Sequence, residues 1–163
     1  ARPESHQDSH RIVDTSKILG VEDRDKFGLE AAFVRGRFSA QGEYIQQSLN
    51  RNLGADVAFD GYYAYASYFI TSDTRPYSNT DAAFGTVNPT NSGGAWELAA
   101  RVSHLDLSDK NIPGGSVDSF TIGINYYMTS DLRFVANYIM TNSDRLAGND
   151  DPKTFQFRIR YTF

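Results

Sequence analysis

The chain has 163 residues, a formal net charge of -4 and no cysteine. That leaves room for one ordinary domain, removes disulfides and thiolate metal sites, and argues against a general nucleic-acid binder. Tyrosine (10) and phenylalanine (11) dominate the aromatics, which suits strands and membrane-interface belts rather than helices.

Residues Ala1 to Lys26 are polar and irregular, with Arg2, Arg11, Lys17, Arg24 and Lys26 set among six acids. They predict a long opening loop. Alternation starts at Phe27. Phe27, Leu29, Ala31 and Phe33 share one face, and Glu30 falls on the other. Arg35-Gly36-Arg37 is a tight turn. The second strand, from Phe38 to Leu49, sets Phe38, Ala40, Gly42 and Tyr44 against Ser39, Gln41 and Glu43. Asn50 to Ala58 reads as a loop. The third strand, Phe59 to Ile70, carries aromatics on both faces, including Tyr62, Tyr63, Tyr65 and Tyr68, so its orientation stays open. Thr71 to Gly94 is a long polar segment broken by Pro76 and Pro89, with room to fold inward.

Trp96, Leu98, Ala100 and Val102 form the apolar face of the fourth strand, opposite Glu97, Ala99, Arg101 and Ser103. Leu107 to Ser116, with Pro113-Gly114-Gly115, reads as a loop. The fifth strand sets Phe120, Ile122, Ile124, Tyr126 and Met128 against Ser119, Thr121, Gly123, Asn125 and Tyr127. After the turn Thr129-Ser130-Asp131, the sixth sets Leu132, Phe134, Ala136, Tyr138 and Met140 against Arg133, Asn137 and Thr141. Ser143 to Pro152 is a Gly/Asn/Asp loop. The last strand alternates most strictly. Phe155, Phe157, Ile159, Tyr161 and Phe163 face one way, Gln156, Arg158 and Arg160 the other, and the strand is expected to reach the final residue.

Seven strands in a meander, without a helix, predict an all-β antiparallel protein. Strand lengths lie near the ~9–11 residues that cross a bilayer at a tilt. Short and long connections tend to alternate, as between the two rims of a transmembrane barrel. The last strand, taken as running toward the periplasm, places the Arg35–Arg37 and Thr129–Asp131 turns there. In that setting Phe155, Phe157, Ile159, Tyr161 and Phe163 are membrane-facing, while Arg101, Arg133, Arg158 and Arg160 line a wet lumen. Mean hydropathy is negative, and alternation dilutes the apolar signal of a barrel strand. Single-chain bacterial barrels have even strand counts from about 8 upward. Seven strands therefore suggest the C-terminal part of a larger porin, completed by an N-terminal fragment of the same protein. The polar start, Ala1-Arg2-Pro3-Glu4, holds no signal peptide, so an exported precursor would begin upstream.

Arg2-Pro3-Glu4-Ser5-His6 with Val13-Asp14-Thr15, then Phe27-Gly28-Leu29-Glu30 and Phe38-Ser39-Ala40-Gln41-Gly42-Glu43-Tyr44, resembles the phosphate-selective porin O and P family. So do Gly93-Gly94-Ala95-Trp96-Glu97-Leu98-Ala99-Ala100-Arg101 and Val135-Ala136-Asn137-Tyr138. The resemblance spans essentially the whole chain. It implies a homotrimer of roughly sixteen-stranded barrels in the bacterial outer membrane, in contact with lipid and lipopolysaccharide. It implies that residues 1–26 dip into the lumen as an opening loop, with 27–163 as a seven-stranded meander. Arg2 is the position that best carries over the family's anion-binding arginines, and small anions such as phosphate or polyphosphate are the implied solutes. The segment Thr71–Gly94 matches a periplasmic connection that folds inward in the family.

Each pointed reading has a plainer one beside it. The inward arginines either guide anions or pair with Glu97, Glu43 and Glu30 to satisfy a polar wall. His6, Asp8 and His10 lack a diagnostic metal spacing and read as a solvated loop. Asn149-Asp150-Asp151 reads as a turn rather than a calcium site. The tyrosines from Tyr62 to Tyr68 read as packing or an aromatic belt rather than a sugar platform. No nucleophile–base pair, paired-carboxylate motif or phosphate loop suggests an enzyme, and no cofactor or metal is implied. A general porin of the same fold and a soluble β-sandwich binding module remain the alternatives.

Overall fold

In the computed structural model, residues 11–146 and 148–163 are described. Arg2 and the trio His6, Asp8 and His10 lie outside them. The described residues are all-β. Seven strands form one antiparallel sheet in the order β1(Val21–Arg35), β2(Phe38–Arg51), β3(Val57–Phe69), β6(Ala95–Asp109), β7(Ile112–Tyr127), β8(Leu132–Asp144), β9(Lys153–Tyr161). Between β3 and β6, the short strands β4(Tyr77–Ser78) and β5(Ala83–Phe84) make a two-stranded ribbon. The sheet is open, with β1 and β9 as its edges.

Connections define two rims. On the turn rim, β1 passes to β2 through Gly36 and Arg37. Gly36 has φ 57°, and a side chain there would meet nothing within 4 Å. Its demand is conformational rather than steric. On the same rim, the Thr129 hydroxyl accepts from the N–H groups of Asp131 and Leu132, closing the β7–β8 turn. The opposite, loop rim carries the β2–β3, β6–β7 and β8–β9 connections. There Asp151 accepts from the Ser143 N–H at 2.8 Å, which makes Asn149-Asp150-Asp151 a hydrogen-bonded turn.

Beyond shifts of one or two residues, three boundaries differ from the sequence reading in ways that matter. β1 starts at Val21, so the charged run Val21–Lys26 is strand, not loop. It pairs with β2 as far as Arg51. The 15 residues of β1 span about 50 Å along the strand, longer than a bilayer core of ~30 Å. A projecting end has water on both faces and needs no alternation. Second, Leu107–Ser116 is not a loop. β6 and β7 continue through it to a two-residue turn at Lys110-Asn111, with a register shift between Asp106 and Ser108. A β-bulge tolerates Pro113. Gly114 lies so close to β6 that an added Cβ would stand 2.1 Å from the Leu107 carbonyl oxygen. These residues mark close approach, not a break in pairing. Third, β9 ends at Tyr161 rather than Phe163. The Thr162 N–H still donates to the Asp131 carbonyl, at 2.9 Å, so only Phe163 projects beyond the ladder.

The two faces of the sheet are chemically opposite. The outer face carries Phe27, Leu29, Phe33, Leu98, Val102, Ile122, Phe155, Phe157 and Ile159, all exposed. It also settles the third strand: Tyr62 and Tyr68 are exposed there, while Tyr63 and Tyr65 point to the other face. Aromatic pairs recur six positions apart on that face, as Phe38 and Tyr44, Tyr62 and Tyr68, Phe120 and Tyr126. Six residues span about 20 Å, close to the ~25 Å apolar band between the two aromatic girdles of an outer-membrane barrel. Near the turn rim, rings stack across four strands: Trp96 on Tyr126 at 4.4 Å, Tyr126 on Phe134 at 6.2 Å, Phe134 on Phe157 at 6.5 Å. Between the girdles lie Ala40, Gly42, Ala64, Ala66, Ala100, Ile124 and Ala136.

Candidate functional site: the inner wall

The inner face is polar along its middle and closed by apolar clusters at each end. Phe69, Val87, Ala95 and Tyr127 are buried together near the turn rim. Leu49, Val57 and Phe59 pack with Ile18, Val21, Leu107 and Ile112 near the loop rim. Ile12 and Val13 are also buried, and the Asp14 N–H donates to the Gly114 carbonyl at 3.0 Å. Ile12 shares a cavity of about 360 Å³ with Glu43, Tyr63 and Arg101.

The densest polar cluster surrounds Glu97, whose side chain is 0% exposed. The period-two pattern turns it inward, opposite Asn125 on β7. It accepts from the Asn125 amide and the Tyr127 hydroxyl, each at 2.9 Å, and from Arg75 at 2.6 Å. Arg75 comes from the 70–94 connection, so this ion pair fastens that segment to the inner wall. The Arg75 guanidinium also donates to the Tyr127 hydroxyl at 2.8 Å. It lies 5.8 Å from the Phe69 ring and 5.6 Å from the Phe84 ring, within cation–π range. Burial alone would lower the Arg75 pKa, but Tyr127 and Glu97 outweigh it and hold the group firmly charged. A second tie holds the same segment. Asp73 is buried and accepts from the Thr90 N–H at 2.7 Å and the Thr90 hydroxyl at 2.9 Å. Burial works against its ionisation, yet the threonine donors prevail and keep its carboxyl below the ordinary range.

Arg101, Arg133, Arg158 and Arg160 all occupy inner-face positions. Arg101 stands opposite Tyr65 on β3 and Thr121 on β7, with its guanidinium 4.9 Å from the Tyr63 ring. Arg133 stands opposite Tyr127 and Arg160, 5.1 Å from the Tyr127 ring. Arg158 stands opposite Val135. The plainer of the two sequence readings pairs these arginines with Glu97, Glu43 and Glu30. The structure gives Glu97 to Arg75 instead, because the folded-in segment delivers a guanidinium directly onto it. Arg75 was missed, and the available signal was slight: an arginine beside proline in a long segment with room to fold inward. The structure does not gather the four wall arginines at one point. It spreads them over three strands, with Arg133 and Arg160 side by side. Phe155, Phe157, Ile159, Tyr161 and Phe163 are all exposed, Phe155 at 71%, on the face opposite Arg158 and Arg160.

Comparison with known proteins agrees with this architecture. The chain is 30% identical to Porin O of Pseudomonas aeruginosa over 166 aligned residues, which cover 93% of this chain and 38% of that protein. It is 34% identical over 142 residues to an uncharacterized protein of Caulobacter vibrioides, covering 84% of this chain and 28% of the relative. The chain thus spans well under half the length of either. The model of the family described as phosphate-selective porin O and P matches residues 1–163, and with it an antiparallel sheet that turns its apolar face outward; the chain belongs to the phosphate-selective porin O and P family.

Proposed function

We propose that this chain forms part of the wall of a passive, water-filled channel in the bacterial outer membrane that conducts small anions, such as phosphate or polyphosphate. One observation carries the reading: a single sheet exposes its apolar side chains on one face and aligns Arg101, Arg133, Arg158 and Arg160 on the other. In a narrow wet lumen, guanidinium groups replace part of an anion's hydration, and weak binding at several sites permits release. The strands β1 and β9 then pair with strands from the rest of the porin, because unpaired backbone groups in lipid cost several kcal/mol each. A trimer of such barrels, with lipid and lipopolysaccharide around it, completes the assembly. Ile12 and Val13 against β6–β7 support a lumenal course for the opening loop. No step of this mechanism is catalytic. A soluble sandwich would bury the face that carries Phe155 and Phe157.

A less selective general porin is the second reading, favoured by Glu30 and Glu43, which also take inner-face positions opposite each other. A salt-gradient experiment on the full-length channel in planar bilayers separates the two. The anion reading expects a zero-current potential of anionic sign, moved toward cation preference by Arg158→Gln with Arg160→Gln. Replacing the loop acids Asp150 and Asp151 with asparagine should change little, because exposed charges are screened within about 8 Å at physiological salt. A channel that prefers cations from the start overturns the anion reading.

A further inference from the structure

Beside the girdle nearer the loop rim, the outer face changes from apolar to polar within one step of each strand. Tyr62, His104, Asp118 and Asn142 are consecutive cross-strand partners on β3, β6, β7 and β8. Val102, Phe120 and Met140 lie two positions from His104, Asp118 and Asn142 along the same strands, and so share their face. A groove of about 570 Å³ crosses this boundary. Val102, Phe120 and Met140 line its membrane side, and Asp118, Asn142, Asp151 and Lys153 line its polar lip. Tyr62 closes one side, braced by the His104 ring stacked on it at 5.3 Å.

The lip is rich in acceptors. His104 Nδ1 lies 2.8 Å from one oxygen of Asp118, and the Ser143 N–H donates to one oxygen of Asp151. Each carboxylate keeps a second oxygen for a further donor, and the Asn142 amide both donates and accepts. Asp118 and Asn142 are exposed, on the face that elsewhere carries Phe120, Phe155 and Phe157. β7 and β8 are paired on both sides, so strands that join the sheet at β1 and β9 leave these two side chains where they are.

We propose that this groove binds one glycolipid of the outer leaflet, its sugar headgroup at the lip and an acyl chain along Val102, Phe120 and Met140. The inference rests on the channel reading, which sets the loop rim on the extracellular side, and adds a lipid site to it. The lip selects the ligand. A sugar ring holds several hydroxyl donors in fixed directions, which match two carboxylates and an amide at low ordering cost. A phospholipid offers few donors on a flexible head, and its phosphodiester would meet two carboxylates against the one ammonium of Lys153. In the glycolipid, Lys153 is left for an anionic substituent of the sugar.

The test titrates the full-length porin in detergent with lipopolysaccharide lacking its outer polysaccharide, and counts bound lipid by native mass spectrometry. Wild type should hold a lipid that excess phosphatidylethanolamine does not displace. Asp118→Ala should raise the half-saturating concentration about tenfold, the size expected for one hydrogen bond to a charged group. Asn142→Ala should raise it by less. Lipopolysaccharide should also raise the melting temperature of wild type, by an increment that both variants reduce. Melting without lipid shows whether each variant folds, and Asn142→Ala carries the test if Asp118→Ala does not. Equal half-saturation in wild type and the folded variants, or displacement by phosphatidylethanolamine, overturns the site. The salt-gradient potential should be the same in wild type and Asp118→Ala, because the groove faces away from the lumen. Equal lipid binding with an anionic potential sinks the lipid site and leaves the channel reading. Cation preference, with lipid binding weakened in Asp118→Ala, removes the anion reading and supports the lipid site.

Discussion

Trp96 and Glu97 are adjacent in sequence and lie on opposite faces of β6. The indole is 40% exposed, and the carboxylate is fully buried. In a water-soluble sheet that order would be reversed. Here the face that meets the surroundings carries aliphatic residues between two rows of aromatics, and the enclosed face carries carboxylates, hydroxyls and guanidiniums. The comparison shows that burial in this molecule joins two kinds of packing: a hydrogen-bonded charge network around Glu97 and apolar clusters at each rim. The largest apolar surface lies on the outer face instead, where it suits a non-aqueous exterior.

The largest effect should come from breaking the inner face at its densest point. Glu97→Ala leaves Arg75 charged, enclosed and without its carboxylate. Removing one partner of a buried pair costs about 3–5 kcal/mol. Replacing Arg75 and Glu97 together by methionine should recover most of that loss, since two uncharged side chains leave no orphaned charge. A thermal double-mutant cycle measures both. Protease cleavage within 70–94 should accelerate in Glu97→Ala. If the single variant melts like wild type, the pair does not hold the segment.

The outer face should break differently. Phe157→Arg puts a guanidinium toward lipid, at about 2–4 kcal/mol near the bilayer midplane. Gln156→Arg, one position away, turns toward water and should be tolerated. Comparing the urea stability of the two variants in lipid vesicles sharpens the contrast, and equal losses would remove the inside–outside assignment of β9. Single cysteines extend the same contrast without adding charge. A water-soluble maleimide should label positions 158 and 160 and spare 157 and 159. The opposite pattern would invert the sheet.

Much of this was legible in the sequence because the pleat enforces a period of two and the lipid–water contrast amplifies it. From Phe155 to Tyr161 each side chain takes the face that alternation assigns. Legibility failed where that contrast was absent. Val21–Lys26 project past the apolar band, so a paired strand looked like a charged loop. Tyrosine suits both a girdle and a polar wall, so Tyr62, Tyr63, Tyr65 and Tyr68 needed the observed register to be sorted. Pro113-Gly114-Gly115 carries a loop's composition because a bulge and a close backbone approach use the same residues. Arg75 was beyond reach for a deeper reason. A contact across 22 positions of sequence, made from an irregular segment, leaves no periodic trace.

The smallest effect concerns how the folded-in segment responds to acid, and it separates its two fastenings. Asp73 lies outside the strands, and its carboxyl pKa is held below the ordinary value by hydrogen bonds from Thr71 and Thr90 despite burial. A group with a depressed folded pKa binds protons less readily folded than unfolded. Its stabilisation is present above the unfolded value of about 3.9 and disappears as pH falls through the folded value. Between neutral pH and about pH 5, the segment should therefore stay docked, with acid loosening it only at lower pH. Asp73→Asn retains a side-chain acceptor for Thr90 but no charge. It should lose about 1 kcal/mol at neutral pH, the scale of one hydrogen bond, and show a flatter acid dependence than wild type. Proteolysis of residues 70–94 across a pH series, with an acid-stable protease, reads this directly. The Arg75–Glu97 tie should persist through the same range in both proteins, leaving the segment tethered at one end. A variant that follows the wild-type acid curve would show that Asp73 does not set the pH response, and that the guanidinium pair alone holds the segment to the wall.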